Sequence, residues 1–267
     1  MGADIKALRT RIKSVDSTLH LTKAMGLVAS SKIRRALDAM NKGREYEEAV
    51  SRVIQTLTLC PECEESPFMR KSSEGKTCLV VIAGDRGLAG GYNANVFRVL
   101  REYEDADIFA IGKRACERFS QPVCYAEQFG YQDALGLALD ICRDFSDGTY
   151  QRVGIVCTRY LSMMSQEACV RWILPLARAE QKGTQSVIFE PDEMTVLNAT
   201  VPEYVAGLLV SAVRESFASE VAARRCAMDS AGKNAQQMID ELQLKYNRAR
   251  QGAITQEITE IVAGSGT

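Results

Sequence analysis

Apolar and small residues recur at alternating steps of three and four along the first forty residues. Ile5, Leu8, Ile12, Val15, Leu19, Thr22, Gly26, Ala29, Ile33, Ala36 and Met40 follow one another without a slip. This is a heptad seam, the pattern of a helix that keeps one stripe against a second helix along its length. It predicts an N-terminal helix over 1–59. Past Met40 the stripe passes to Tyr46, Val50, Val53 or Ile54, and Leu57, which reads as a shift of register. The charged residues around Gly43 predict an exposed section there. A second stripe runs through Val210, Val213, Phe217, Val221, Met228, Ala231, Ala235, Met238, Leu242, Ala249 and Ala253, predicting a C-terminal helix over 203–267. All six prolines lie between Pro61 and Pro202, so neither stripe meets a residue that breaks helices. Gly26, Ala29 and Ala36 on one stripe, with Ala231, Ala235 and Ala249 on the other, predict close backbone approach. Two ends of one chain flanking a compact insert pair most simply as an antiparallel coiled coil.

Between the stripes the period changes. Residues 60–76 hold prolines, serines and charges and read as a connector. Over 77–202 short apolar runs alternate with helical patterns. Strands are predicted at 78–83, 108–111, 123–126, 153–158, 169–174 and 187–189, and helices at 93–105, 113–119 and 132–145. Strand–helix alternation implies an open, largely parallel α/β sheet covered by helices. The ten-residue link between 158 and 169 is short enough for those two strands to run antiparallel.

The 46% hydrophobic and 25% charged content suits a soluble chain with a real core. No run approaches the roughly 20 apolar residues that span a bilayer, and no secretory leader is evident. The expectation is a cytoplasmic chain whose membrane association, if any, is peripheral. The net charge of −1 hides an asymmetry. Residues 1–44 carry ten basic side chains against Asp4, Asp16 and Asp38, and residues 203–267 come close to balance, so the middle is acidic. A basic helical face suits an acidic protein surface, a nucleic acid or anionic lipid, and charge alone does not choose among them. Most of the nine cysteines sit in apolar runs. Cys60-Pro-Glu-Cys63 differs: it is a CxxC in a polar turn, open to a structural role, a reversible disulfide as a candidate redox pair, or half of a shared metal site.

The segment GDRGLAGG, residues 84–91, follows the first predicted strand and precedes a helix, where dinucleotide enzymes hold a pyrophosphate. Its glycines read GxxGxxGG, not GxGxxG, and no P-loop lysine follows. A tight turn with Asp85 and Arg86 available for hydrogen bonds or partner contact is the plainer reading. No nucleophile motif accompanies the single histidine, His20. The chain is expected to carry no cofactor and no catalytic centre. A flavodoxin-like enzyme that dimerises through its ends, and a nucleic-acid binder using the basic helix, stay as alternatives. The near-neutral whole chain favours no nucleic-acid partner.

Three segments together resemble the gamma subunit of bacterial F-type ATP synthase. They are LTKAMGLVASSK at 21–32, GDRGLAGGYN at 84–93, and SEVAAR at 219–224 continuing to YNRARQGAITQEITEIV at 246–262. The resemblance implies a central-stalk rotor that does no bond chemistry itself. Its terminal helices would form an antiparallel coiled-coil shaft inside a ring of alpha and beta subunits. An inserted Rossmann-like α/β domain would engage the epsilon subunit and the membrane c-ring. A proton or sodium gradient would drive ATP synthesis through it from the cytoplasmic face of the membrane. By matching position, Lys23, Met25, Arg224, Arg250, Gln251, Thr255 and Glu257 are implied contacts to the beta subunit and its coupling. Asp85 and Arg86 fall on the epsilon and c-ring side or in a structural turn. The redox control of chloroplast relatives does not transfer to Cys60 and Cys63.

Overall fold

The computed structural model describes residues 2–72, 74–179 and 187–265. In chain order the elements are α1 (Gly2–Leu57), β1 (Lys76–Ile82), α2 (Tyr92–Val99), β2 (Asp107–Ile111), α3 (Lys113–Arg118), α4 (Tyr131–Ser146), β3 (Tyr150–Tyr160), β4 (Gln166–Leu174) and α5 (Glu193–Ser265). The chain divides into two compact units, one of Met1–Ser30 with Arg224–Thr267 and one of Ser31–Ala223.

The second of these units is built on a four-stranded sheet of order β2-β1-β3-β4. β1 pairs in parallel with β2 and with β3, while β4 returns antiparallel to β3. Side chains on a strand alternate between faces, so the central β1 feeds two cores. Cys78, Val80 and Ile82 join Val153, Ile155 and Cys157 beneath α4 and the buried residues Leu197 to Val213 of α5. Leu79 and Val81 join Val156 on the other face with Val96 of α2 and Ala115 of α3. A strand buried on both sides needs an unbroken apolar run, which is what residues 78–82 supply.

The segments 123–126 and 187–189 form no strand. The first is tied just past the end of β2, the Gly112 amide donating to the Cys124 carbonyl at 2.9 Å, without the repeated bonds of a ladder. The connector packs against the core. Ser66 donates to the Asn198 side-chain oxygen at 2.7 Å, and the Phe68 ring stacks on Phe145 with centroids 6.2 Å apart.

The C-terminal helix begins at Glu193, ten residues before the start expected at 203, and Pro202 lies inside it. The signal overlooked is an N-cap: Asp192 accepts the Thr195 amide and hydroxyl, each at 2.8 Å. Leu197, Val201 and Val205 then bury completely on one face, and this packing outweighs the hydrogen bond that a proline forfeits. By composition α5 contains a window apolar enough to cross a bilayer, contrary to the sequence expectation. That window is 61% buried inside the protein, as in a core helix.

The register shift expected beyond Met40 does not occur. Burial continues at Gly43, Glu47, Val50, Ile54 and Leu57, while Tyr46 and Val53 are exposed. The alternation of three and four persists because backbone geometry sets the phase, and the residue types adapt to it. Gly43 is buried, not exposed, and a Cβ there would lie 3.4 Å from the Ser211 backbone. Half-buried Glu47 is paired with Arg171 of β4.

In the unit of Met1–Ser30 and Arg224–Thr267, two helices run antiparallel. A Cβ on Gly26 would lie 3.7 Å from that of Met228, and one on Gly232 lies 3.6 Å from the Thr22 hydroxyl and 3.9 Å from Leu19. Leu19 packs in turn on Ala235 and Ile239, with Val15 alongside. Each step forward on α1 is thus a step back on α5. Ile239, 5% exposed, takes the seam position expected for Met238, which is 43% exposed.

Candidate partner-contact surfaces

Lys23 is exposed and Met25 half-buried on α1, and Arg224 is half-buried on α5. The pairing of Gly26 with Met228 brings these three within about two helical turns of one another. Arg250, Gln251, Thr255 and Glu257 are all exposed on the last stretch of α5. At about 1.5 Å per residue, Arg250 lies roughly 40 Å along the helix from Arg224. The residues therefore form two separate surfaces, not one pocket. Within the second group the Thr255 hydroxyl donates to the Gln251 carbonyl at 3.0 Å, a bond internal to the helix.

Each surface also presents apolar side chains that the sequence reading passed over. Ile254, Ile258, Ile261 and Val262 are 43%, 56%, 70% and 64% exposed. Their spacing of four, three and one puts them on one face of the helix. On α1, Leu21, Leu27 and Val28 are likewise exposed. The signal was available in the sequence, because all seven lie off the positions that the seam buries. Apolar side chains left in solvent on one stripe mark a surface suited to another chain.

Asp85 and Arg86 belong to the unit of Ser31–Ala223. Asp85 is occupied within its own fold, its carboxylate accepting the backbone amides of Lys113 (3.0 Å), Ala126 (2.9 Å) and Glu127 (2.9 Å). It ties the turn after β1 to the start of α3 and to the segment before α4. Arg86 is exposed and lies 3.8 Å from Glu127, which also receives Lys32 of α1 at 2.8 Å. The glycine turn is hostile to a phosphate. The Gly84 amide is taken by the Asn93 side chain at 2.9 Å, and the buried Glu220 carboxylate presses on Gly84 from the helix side. Two carboxylates flank the place where a pyrophosphate would need positive potential, which disfavours the flavodoxin-like alternative.

Cys60 caps the start of a short 3-10 helix, Pro61–Glu65, and Cys63 lies buried within it. Burial pushes the Cys63 thiol up to about 11, with Cys60, Glu193 and Glu62 adding to it, and burial likewise raises Cys60. Little thiolate forms at either sulfur near neutral pH, so neither is poised as a nucleophile.

The family model described as ATP synthase matches residues 4–267. An ATP synthase gamma chain of Ruminococcus albus is 41% identical over 98% of this chain and 98% of its own length. Gamma chains of Xanthomonas campestris and Geotalea daltonii are 37% and 34% identical, with 97% and 98% of this chain covered and 98% of theirs. The fold is also similar to a chain of the Euglena gracilis mitochondrial ATP synthase OSCP/F1/c-ring structure (TM-score 0.68, 19% identity, 98% of this chain and 94% of that one). The chain belongs to the ATP synthase family and, within it, to the gamma chains. It is a non-catalytic, central-stalk subunit of the membrane-associated ATP synthase complex.

Proposed function

We propose that the two surfaces on α1 and α5 are where this central stalk meets the catalytic hexamer of alpha and beta subunits. Lys23, Met25 and Arg224, with exposed Leu21, Leu27 and Val28, form one contact. Arg250, Gln251, Thr255 and Glu257, with the isoleucine stripe, form the other. The observation that carries this reading is the end of α5. Ile254, Ile258, Ile261 and Val262 stay exposed in the isolated chain, whereas the same helix buries its seam residues back to Leu242. A single chain cannot share the symmetry of three repeated partners, so each beta subunit meets a different face of the shaft as it turns. On this reading Arg86 faces the epsilon subunit and c-ring, Asp85 holds that turn in shape, and the complex lies on the cytoplasmic face of the membrane.

The test is ATP synthesis by membranes carrying Arg250→Ala together with Gln251→Leu. Both side chains are exposed and without a packing role, so the chain is expected to fold and express normally while synthesis or assembly falls severalfold. Normal synthesis would count against the contacts. Copurification of one gamma chain with three alpha and three beta subunits tests the partner set independently.

A further inference from the structure

We infer that Cys157 and Cys169 form a built-in dithiol on the sheet that closes reversibly to a cross-strand disulfide, a modification site separate from the stalk contacts. The two residues are direct partners in the antiparallel β3–β4 register. Directly opposed residues in such a ladder have Cα atoms about 4.5–5.5 Å apart, whichever hydrogen-bonding class the pair belongs to. A disulfide spans roughly 4.4–6.8 Å between Cα atoms, so the bond needs no movement of either strand. Opposed side chains also point to the same face, so the two sulfurs are neighbours on one side of the sheet.

The surroundings give the two sulfurs different roles. The nearest rungs on the same face are Ile155–Arg171 and Arg159–Glu167, placing an arginine two residues from the pair in each direction along the strands. The Cys157 thiol opposite it holds Cys169 below the ordinary thiol range, against the push of burial. Arg159 adds to the lowering, while Glu167 and Glu215 oppose it. Cys157 moves the other way, raised by Cys169 opposite it and by its own burial. Cys157 is 2% exposed, and Cys169 is half-buried. Cys169 is thus the more ionised and more reachable of the two near neutral pH, and Cys157 is the protonated, buried partner opposite it. This is the attacking and resolving arrangement of thiol oxidation.

With hydrogen peroxide as oxidant the chemistry balances in two steps. The Cys169 thiolate attacks one peroxide oxygen, an S–O bond forms, the O–O bond breaks, and the departing hydroxide takes up a proton to become water. The Cys157 sulfur then attacks the sulfenic sulfur. The S–S bond forms, the S–O bond breaks, and hydroxide leaves with the Cys157 proton as a second water. The pair gives up two electrons, and peroxide accepts both. A small-molecule dithiol reverses the change. The bond would lock the strand carrying Arg171, whose partner Glu47 ties β4 to α1 within this unit.

The experiment exposes the full-length chain to hydrogen peroxide at neutral pH, blocks remaining thiols with iodoacetamide and digests with trypsin without reduction. Cleavage after Arg152, Arg159 and Arg171 puts the two cysteines on separate peptides, residues 153–159 and 160–171. The expected product is these two peptides joined by a bond that dithiothreitol breaks. In unoxidised protein Cys169 should alkylate about tenfold faster than half-buried Cys60 or Cys124, reflecting its larger thiolate fraction. Cys157→Ser should remove the link and leave Cys169 as a sulfenic acid trapped by dimedone. Cys169→Ser should leave Cys157 unoxidised. Recovery of both peptides alkylated after peroxide has oxidised other thiols would overturn the inference, as would a bond from Cys169 to any other cysteine.

Discussion

Adding a methyl group at Gly84 and adding one at Gly26 should move stability in opposite directions. A Cβ on Gly84 would sit 2.8 Å from the carboxyl carbon of Glu220 and 3.0–3.1 Å from its oxygens. Glu220 is 2% exposed, so it has little room to retreat. Gly84→Ala is expected to destabilise the chain by about 1–3 kcal/mol through overpacking. Gly26 is helical, and its added Cβ would meet only Met228 at 3.7 Å, an ordinary contact. Gly26→Ala is expected to stabilise by about 0.5–1 kcal/mol, because alanine loses less backbone freedom in a helix. Urea unfolding midpoints of the two variants decide the matter, and equal shifts in one direction would refute the packing described. The sequence marked Gly84 as a turn residue correctly, but its reason was hidden. The constraint comes from a carboxylate far along the chain. Gly112 is hidden in the same way, its φ of +94° placing any Cβ 1.9 Å from the Ala83 carbonyl oxygen.

Among elements, the sequence stated periods more reliably than phases or ends. The seam of α1 was readable through Met40 because its residue types are uniformly apolar or small. It was misread beyond, because Gly43 and Glu47 occupy seam positions without looking apolar. On α5 two apolar neighbours competed for one position, and composition does not separate Met238 from Ile239. The structure buries the isoleucine. Ile239→Ala should therefore cost about 2–4 kcal/mol, whereas Met238→Ala should stay within about 0.5 kcal/mol. Thermal unfolding of the pair checks the phase directly, and a larger loss at Met238 would reverse it. The start of α5 was placed late because proline was taken as a stop. The cap at Asp192 and the fully buried Leu197 and Val201 override it. Asp192→Ala should lower Tm by a few degrees and free the first turn, visible as faster amide exchange at Thr195 and Val196. The runs expected as strands at 123–126 and 187–189 are short and apolar but form no ladder with the edge strands β2 or β4, and pairing is a property that a single segment does not display.

For the molecule as a whole, the family was legible from both ends of the chain. The middle was legible only in its layout of strands and helices, since its packing joins segments distant in sequence. One consequence of that packing appears at alkaline pH. Burial pushes Cys63 up to about 11 and Cys78, Cys142 and Tyr150 up to about 12, with Asp107 and Asp144 adding at Cys78 and Tyr150. In the unfolded chain these thiols return to 9.0 and the phenol to 10.0. Below the unfolded values both states hold the protons, and the groups make stability independent of pH. Between the unfolded and folded values the native state keeps protons that the unfolded chain has released, so stability falls as pH rises. The stability these groups preserve is fully present below 9.0 and is lost progressively as pH climbs toward about 12. Chemical denaturation of the full chain in a buffer series should show a flat midpoint up to the lower bound and a steady decline above it. Cys142→Ala should soften that decline, because its thiol is raised by burial alone. A midpoint unchanged through pH 11, or a slope untouched by Cys142→Ala, would mean that these thiols are not held in a dry core.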